Sequence, residues 1–578
     1  MPDPSSVLEI VERPRAATAN DLGLMLHPVL ARIYAARGVR EARELDLSLS
    51  GLLPAEALTG VDSAARLLVD AIVGARHIKI VGDFDADGAT ATAVAIKALR
   101  TFGATRVSFL VPNRFEFGYG LTPEIVELAR RDRPDLLMTV DNGVSSIDGV
   151  RVAKSHGIDV VITDHHLPGR ELPAADAIVN PNLDDSTFPS KALAGVGVAF
   201  YVMSAVRRVL RERGWFSSAR PEPSLAPLLD LVALGTVADV VALDHNNRIL
   251  VQQGLRRIRG GRACCGIRAM CEVSARPAGK LTARDLAFAL APRLNAAGRL
   301  DDMSIGIRCL LADDLTEARS LAMALHELNE ARRTIEKRMT DEAELALAEV
   351  DDVGAQRLGL CLYDPTWHSG VVGIVAGRLR ERHHRPAIAF ADAGNVAPDE
   401  IRGSARSIPG VHIRDALDAI AARYPGLVTK FGGHAMAAGV SIRRVHYERF
   451  AAAFAAEIAR WITPDDVRGT IYTDGELDSR YLELDIAQLL ADTGPWGQAF
   501  PEPVFHGDFD LVTQRLVGER HTRMVLRAGD RLVDAIAFNQ EPLDRASRVR
   551  VVYELECNDY RDVSTLQLVV RHVVALQS

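Results

Sequence analysis

The chain has 578 residues, 25% of them charged and 48% hydrophobic, with a formal net charge of -8; such a length calls for roughly three or four domains, each able to bury its own core. The charge excludes a uniformly basic nucleic-acid coat, although a site built of carboxylates is itself negative and local basic patches survive in such an average. Six cysteines (Cys264, Cys265, Cys271, Cys309, Cys361, Cys557) include no C-x-x-C pair, which suits core thiols in a reducing compartment better than a disulfide framework or a zinc site.

The N-terminus, MPDPSSVLEIVERPRAA, lacks the apolar run of a signal peptide. The uncharged stretch 192–206 is too short and too Gly-rich to span a bilayer, and is expected as a buried helix in a cytoplasmic protein. Residues 1–60 carry short helical patterns and no chemistry, so a packing extension without a separate role is expected there.

From residue 61, apolar runs alternate with helical segments. The runs at 77–81, 107–111, 136–140 and 160–163 read as strands of a largely parallel sheet. The first continues as GDFDADG, placing Asp83, Asp85 and Asp87 at every second position just past the strand. In an extended chain such residues project to one side, and carboxylates that close repel unless a cation lies among them. Gly88 lets the chain turn into an Ala/Thr/Val-rich helix. Strand, acidic turn and helix together make the rim of an α/β sheet, where ligands bind.

Two later strands end in similar chemistry. The run LLMTVDNG delivers Asp141, and VVITDHHLP delivers Asp164, His165 and His166. Imidazoles beside carboxylates suit a borderline ion such as Mn²⁺ better than Ca²⁺. Either histidine can be a direct ligand, while Asp164 is expected to orient a ring. Asp239, in LVALGTVADVVAL, is an ionised group in an apolar run; it reads as a further ligand or as the cap of an element. Stations spread over separate strand ends are how two metal ions are held close together for phosphate-ester hydrolysis.

The ordered motifs D-x-D-x-D-G, V-D-N-G, D-H-H and G-T-V-A-D resemble those of the DHH phosphoesterase superfamily. APRLNAAGRL (291–300), WHSGVVGIVAGRL (367–379), RGSARS (402–407), FGGHAMAAG (431–439) and PWGQAFPEPVF (495–505) are similar to its branch of single-strand-specific 5′ to 3′ DNA exonucleases. The resemblance covers about residues 75–505. It implies an α/β fold: a DHH parallel-sheet catalytic domain (61–312), a connecting helix (313–350), a DHHA1-type α/β domain (351–462) and an OB-like β-barrel (463–578). It also implies two Mn²⁺ or Mg²⁺ ions on Asp83, Asp85, Asp87, Asp141, His165, His166 and Asp239, with Asp141, His165 and Asp164 as the catalytic group. Substrate contacts are implied for Arg114, Tyr119, Asn295, Arg299, Ser404, Arg406, Gly433 and His434.

The same segments have readings of their own. The stretch 313–350 has no Pro or Gly and repeats apolar residues at helical spacing, with Asp313 placed to cap its start. RGSARS offers two arginines and two hydroxyls able to hold a phosphate, and FGGH lets backbone amides approach an anion; a solvated loop and a Gly-rich turn are the plain alternatives. Phe115, Phe117 and Tyr119, beside Arg114, can stack on bases or serve as core. After 465, short alternating segments suggest a small barrel, either a single-strand-binding OB fold or a structural module. The chain stops soon afterwards, so the further C-terminal domain of some longer relatives is expected to be absent.

The expected activity is stepwise hydrolysis of 5′-phosphorylated single-stranded DNA to mononucleotides in repair and recombination, with single-stranded-DNA-binding protein and a RecQ-type helicase as partners. A short-oligonucleotide or cyclic-dinucleotide phosphodiesterase shares the metal core and is the alternative; a non-catalytic scaffold is opposed by the filled metal positions. No G-x-x-x-x-G-K-[ST] or G-x-S-x-G motif is present, so ATP-driven translocation and serine hydrolysis are not indicated.

Overall fold

The computed structural model describes residues 8–14, 26–112, 120–349, 357–394, 397–467, 469–518, 520–544, 546–560 and 563–576. The chain forms two compact units. One comprises Ile10–Leu294, Met303–Met323 and Ile471–Ser578; the other comprises Met1–Glu9, Asn295–Asp302 and Ala324–Thr470.

In the first unit a five-stranded sheet runs in the order Val107–Leu110, Ile78–Gly82, Leu136–Val140, Asp159–Thr163, Ala177–Val179. Every pair is parallel. The runs IKIVG and LLMTV are buried along their whole length, which is why they are apolar at nearly every position rather than alternating. The chain leaves Ile78–Gly82 for one edge and then returns to build the other side. The crevice between Ile78–Gly82 and Leu136–Val140 is therefore the topological switch point, where an open α/β sheet takes its ligand. The helix expected over 192–206 is Gly195–Glu212, buried over most of its length. Leu229–Ala238, still more apolar, is buried throughout apart from its last residue. Among the described residues no helix is long and apolar enough to cross a membrane.

The C-terminal strands Phe505–Val517, His521–Ala528, Arg531–Ala537, Arg548–Tyr560 and Val563–Ala575 close into a barrel in which the fifth lies between the third and fourth. All neighbours are antiparallel except the third and fifth. Phe505, Phe509, Met524, Leu526, Val533, Val551 and Leu568 fill it. The first alternating segment after 465 stays outside the barrel, and Thr470–Thr473 pairs with Glu9–Glu12.

The stretch expected to be a packing extension packs on this part of the unit through Tyr34 and Arg37. The Arg37 guanidinium makes a two-pronged contact with Asp474, at 2.7 and 3.1 Å, donates to the Pro501 carbonyl at 2.7 Å, and lies over the Trp496 ring. The Tyr34 hydroxyl donates to the Thr493 carbonyl at 2.8 Å.

In the second unit a five-stranded sheet runs Lys430–Gly433, Ala437–Arg443, Glu400–Arg406, Ala387–Asp392, Leu360–Tyr363; only the last pair is parallel. Helices Ile413–Arg423 and Tyr447–Ile458 cover one face through Leu417, Ile420, Phe450 and Phe454. Val372–His383 covers part of the other through Val375, Ala376 and Leu379. The expected connector is a 35-residue helix, Leu315–Glu349, which starts in the first unit and ends in the second. Its cap is Asp314, whose carboxylate accepts from the Glu317 amide at 2.9 Å, and not Asp313, which faces Lys97 at 3.5 Å.

Arg37 and Asp474 have side chains only 1% and 0% exposed, so removing one leaves the other as a buried uncompensated charge. Arg37→Ala is expected to lower the unfolding free energy by roughly 3–5 kcal/mol, read from urea denaturation of the full chain.

Candidate metal centre

The switch point gathers all seven residues expected to bind metal. Their ligand atoms form three groups, each with its members within 4.8 Å of one another: Asp83, Asp85 and Asp141; Asp141, His165 and His166; and Asp87, His165 and Asp239. Asp141 and His165 each belong to two groups, so the three form one continuous set of donors. His165 Nε2 lies 3.1 Å from Asp141 Oδ1 and 3.5 Å from Asp239 Oδ2.

Each side chain is set by its strand end. Asp83 follows the first strand, and Asp85 caps Ala86–Thr101, accepting from the Gly88 amide at 3.0 Å. Asp87, one position into that helix, accepts from the amides of Gly195 and Val196 at 2.6 and 2.9 Å, so it also caps Gly195–Glu212. Asp141 adopts a left-handed backbone, φ 62°, an uncommon state for a non-glycine residue that costs on the order of 1–3 kcal/mol and concentrates at functional sites. Gly195 packs directly on it: a Cβ there would sit 2.5 Å from the Asp141 Cβ. Asn142, absent from the expected site residues, ties the two central strands by donating to the carbonyls of Val81 and Val140 at 3.1 and 2.9 Å; a lone Asn in a turn motif gives no sign of that.

Both oxygens of Asp164 are engaged in hydrogen bonds. One oxygen accepts from the His165 and His166 amides and from His166 Nδ1, at 2.8, 3.1 and 2.8 Å, and the other from the Val144 amide at 2.8 Å. A carboxylate can only accept, so Nδ1 carries a proton, and Nε2 is the ring nitrogen suited to ligate an ion. Asp239 sits at the C-terminal end of Leu229–Ala238. It is the C-cap residue, its amide donating to the Gly235 and Val237 carbonyls, while its carboxylate, which the helix dipole does not favour there, falls in the group with Asp87 and His165.

The remaining sequence-chosen residues lie elsewhere. Ser404 and Arg406 stand on Glu400–Arg406, and Arg406 Nη1 donates to Ser404 Oγ at 2.9 Å. The start of Val372–His383 lies beside them, because a Cβ on Gly373 would meet Arg406 Nη2 at 2.8 Å and Ser404 Oγ at 2.9 Å. Asn295 and Arg299 lie on Ala291–Leu300, and Arg299 Nη1 donates to the Gly370 carbonyl at 3.2 Å. Gly433, at the end of its strand with φ 140°, and His434 are both exposed. Arg114, Phe115, Phe117 and Tyr119 fall outside the described residues.

The electrostatics of the cluster favour a cation. Burial, then the charge of Asp85, pushes Asp87 up to about 7 against the pull of the Val196 and Gly195 amides. Burial and the charges of Asp87, Asp85 and Asp83 hold Asp141 and Asp239 well above the carboxylate range. For His166 burial pulls down, but the Asp164 contact and the charges of Asp83 and Asp85 outweigh it. A buried set of oxygen and imidazole donors with excess negative charge fits a divalent ion of the Mn²⁺ or Mg²⁺ kind.

Unfolded, these carboxyls ionise near about 4; folded without a cation, Asp87 keeps its proton to about 7. Between those values the metal-free native state binds more protons than the unfolded chain, so its stability falls as pH rises through that window. A divalent ion binds the ionised form and reverses the loss. The rise in melting temperature produced by Mn²⁺ is therefore expected to be larger near about pH 8 than near about pH 5.5, measured by differential scanning fluorimetry at fixed metal concentration.

Comparison with known proteins identifies the family. Residues 77–236 match the DHH family, N-terminal domain; residues 354–463 match the DHHA1 domain; and residues 473–572 match the RecJ OB domain. The single-stranded-DNA-specific exonuclease RecJ of Dickeya dadantii (strain 3937) is 53% identical over 576 residues, 98% of this chain and 99% of that one. Its counterpart in Escherichia coli (strain K12) is 51% identical over 562 residues, 96% and 97% of the two chains. The crystal structure of RecJ in complex with Mn²⁺ from Thermus thermophilus is similar with a TM-score of 0.81 at 30% identity, over 99% of this chain and 80% of that one. With identity of this extent across all three matched domains, the chain belongs to the RecJ family of DHH proteins.

Proposed function

We propose that this chain is a metal-dependent exonuclease that degrades single-stranded DNA from its 5′ end and releases mononucleotides. The observation that carries the reading is the set of carboxylates and imidazoles joined through Asp141 and His165 at the sheet's switch point. Relatives sharing about half of its residues are named single-stranded-DNA-specific exonucleases, and similar structures hold Mn²⁺ or Mg²⁺.

When bound, two such ions supply Lewis acidity at the scissile phosphate and lower the pKa of a water molecule. The chain's own residues do the rest. Asp83, Asp85 and Asp141 offer one oxygen-rich group and Asp87, His165 and Asp239 another. Asp164 keeps a His166 proton on Nδ1, so Nε2 is the nitrogen that would ligate. We assign the 5′-terminal phosphate to Ser404 and Arg406, with Arg299, Asn295, Gly433 and His434 along the adjoining backbone and Arg114 and Tyr119 on the first bases. Arg406 suits that role because, among the described residues, its Nη1 donates to Ser404 Oγ and the Ala405 carbonyl and not to a carboxylate, so its positive charge suits an anionic ligand.

In this reading the OB-type barrel carries the incoming strand, since stacking and backbone contacts on such folds tolerate any sequence. It also places the enzyme in the cytoplasm, in DNA repair and recombination. A RecQ-type helicase would supply single strands there, and a single-stranded-DNA-binding protein would present them.

With Mn²⁺, a 5′-phosphorylated single strand is expected to yield mononucleotides from its labelled end while the same strand in a blunt duplex persists; endonucleolytic products, or equal loss of the duplex, would refute the assignment. Asp141→Ala is expected to lower kcat by at least about 10³-fold with strand affinity nearly unchanged, since no substrate contact is assigned to it. Arg406→Ala is expected to raise KM roughly 10-fold or more for 5′-phosphorylated strands and much less for 5′-hydroxyl strands, which comparison of the two substrates would reveal.

A further inference from the structure

His165 and His166 lie in a loop with no regular hydrogen-bond ladder, yet the candidate centre needs their rings held to a fraction of an ångström. Their main-chain amides both donate to Asp164 Oδ1. Their carbonyls are held from elsewhere, by the sequence N-P-N that follows the short strand Ala177–Val179. Asn180 Nδ2 donates to the His166 carbonyl at 2.8 Å, and Asn182 Nδ2 donates to the His165 carbonyl at 2.6 Å. The two asparagines are also locked to each other, because the Asn182 amide donates to Asn180 Oδ1 at 2.7 Å.

The clamp has its own support. Asn180 is fully buried. Lys191 Nζ donates to the carbonyls of Pro181 and Ser186 at 2.6 and 2.7 Å, holding the turn from behind. The strand that delivers it is tied to the histidine loop by the Asp164 amide, which donates to the Val179 carbonyl at 3.0 Å. All four main-chain polar groups of the histidine pair are thus gripped by three side chains, the donors by Asp164 and the acceptors by Asn180 and Asn182.

We infer that Asn180 and Asn182 are positioning residues for the metal centre, fixing the backbone of His165 and His166 and through it the direction of both rings. The inference rests on the metal-dependent reading proposed above. Both asparagines spend their side-chain donors on the histidine carbonyls, so they act on the histidines from the carbonyl side. An Asn at either place is required as a donor. An aspartate has the same shape but only acceptor oxygens, and would face a carbonyl with a lone pair.

The test uses Asn180→Ala, Asn182→Ala and the isosteric Asn182→Asp in the full chain. Manganese affinity is measured by titration calorimetry, the melting temperature in excess chelator, and kcat and KM on a 5′-phosphorylated single strand at saturating Mn²⁺. The expected result is a loss of Mn²⁺ affinity of about 10- to 100-fold, with Asn182→Asp no better than Asn182→Ala, KM for the strand unchanged, and the metal-free melting temperature close to that of the parent. Parental Mn²⁺ affinity in the variants would overturn the inference, as would a loss of affinity that only follows collapse of the metal-free fold. Failure of the parent chain itself to bind Mn²⁺ would instead bring down the metal-dependent reading and this inference with it.

Discussion

The structure depends on how it tolerates carboxylates packed at one sheet edge. Within the group Asp83, Asp85 and Asp141 the ligand atoms are at most 4.8 Å apart, and each ionised pair at that separation costs about 3–4 kcal/mol at the effective dielectric of a protein site. Three such pairs approach the whole stability of a domain, on the order of 5–15 kcal/mol. The cluster persists in two ways. Some carboxyls keep a proton, as the raised pKa values of Asp141 and Asp239 express; Asp85 is propped by the Gly88 amide; and Asp87 has both supports, a raised pKa and the Gly195 and Val196 amides. A bound divalent cation replaces the first device and leaves the second in place. Metal binding and folding are therefore coupled in this unit through the same side chains.

That coupling explains why so much rigid structure surrounds so small a region. The two strands behind the site, Ile78–Gly82 and Leu136–Val140, are buried along their whole length. Asp141 is strained, Gly195 leaves no space between its helix and that carboxylate, and Asn142 ties the two strand ends together. A carboxylate free to rotate would escape its neighbours by turning toward water, and the site would relax into an ordinary acidic surface. Packing removes that escape, so relief has to come from a cation or a proton.

Much of this was legible in the residues, because strand ends are local. An apolar run followed by Asp at alternate positions, or by Asp-His-His, announces its own geometry, and the four expected strands all form. Asp239 was ambiguous between ligand and cap, and the fold gives it both places, its backbone ending a buried helix and its carboxylate beside Asp87 and His165. What escaped was non-local or short. The three-residue strand Ala177–Val179 has too little pattern to stand out from the Pro- and Asp-rich loop around it, and with it went Asn180 and Asn182. Arg37 and Asp474 are 437 positions apart, so nothing near either one hints at their contact. The cap of the long helix slipped by one residue, from Asp313 to Asp314, because adjacent aspartates carry the same signal.

The second unit has the complementary problem. Arg406 is pulled below its ordinary pKa by burial and then by the neighbouring Arg380 charge, and its hydrogen bonds go to a hydroxyl and a carbonyl rather than to a carboxylate. A buried guanidinium in that state gains most from an anion, as the buried carboxylates of the first unit gain most from a cation. With a net charge of -8, the molecule as a whole offers a polyanion no general attraction, so any affinity for a phosphodiester has to be concentrated at such points. Each unit thus carries a local charge imbalance, one negative and one positive. A phosphate chain together with divalent ions is a ligand combination able to relieve both, whereas a neutral or purely cationic ligand relieves one at most.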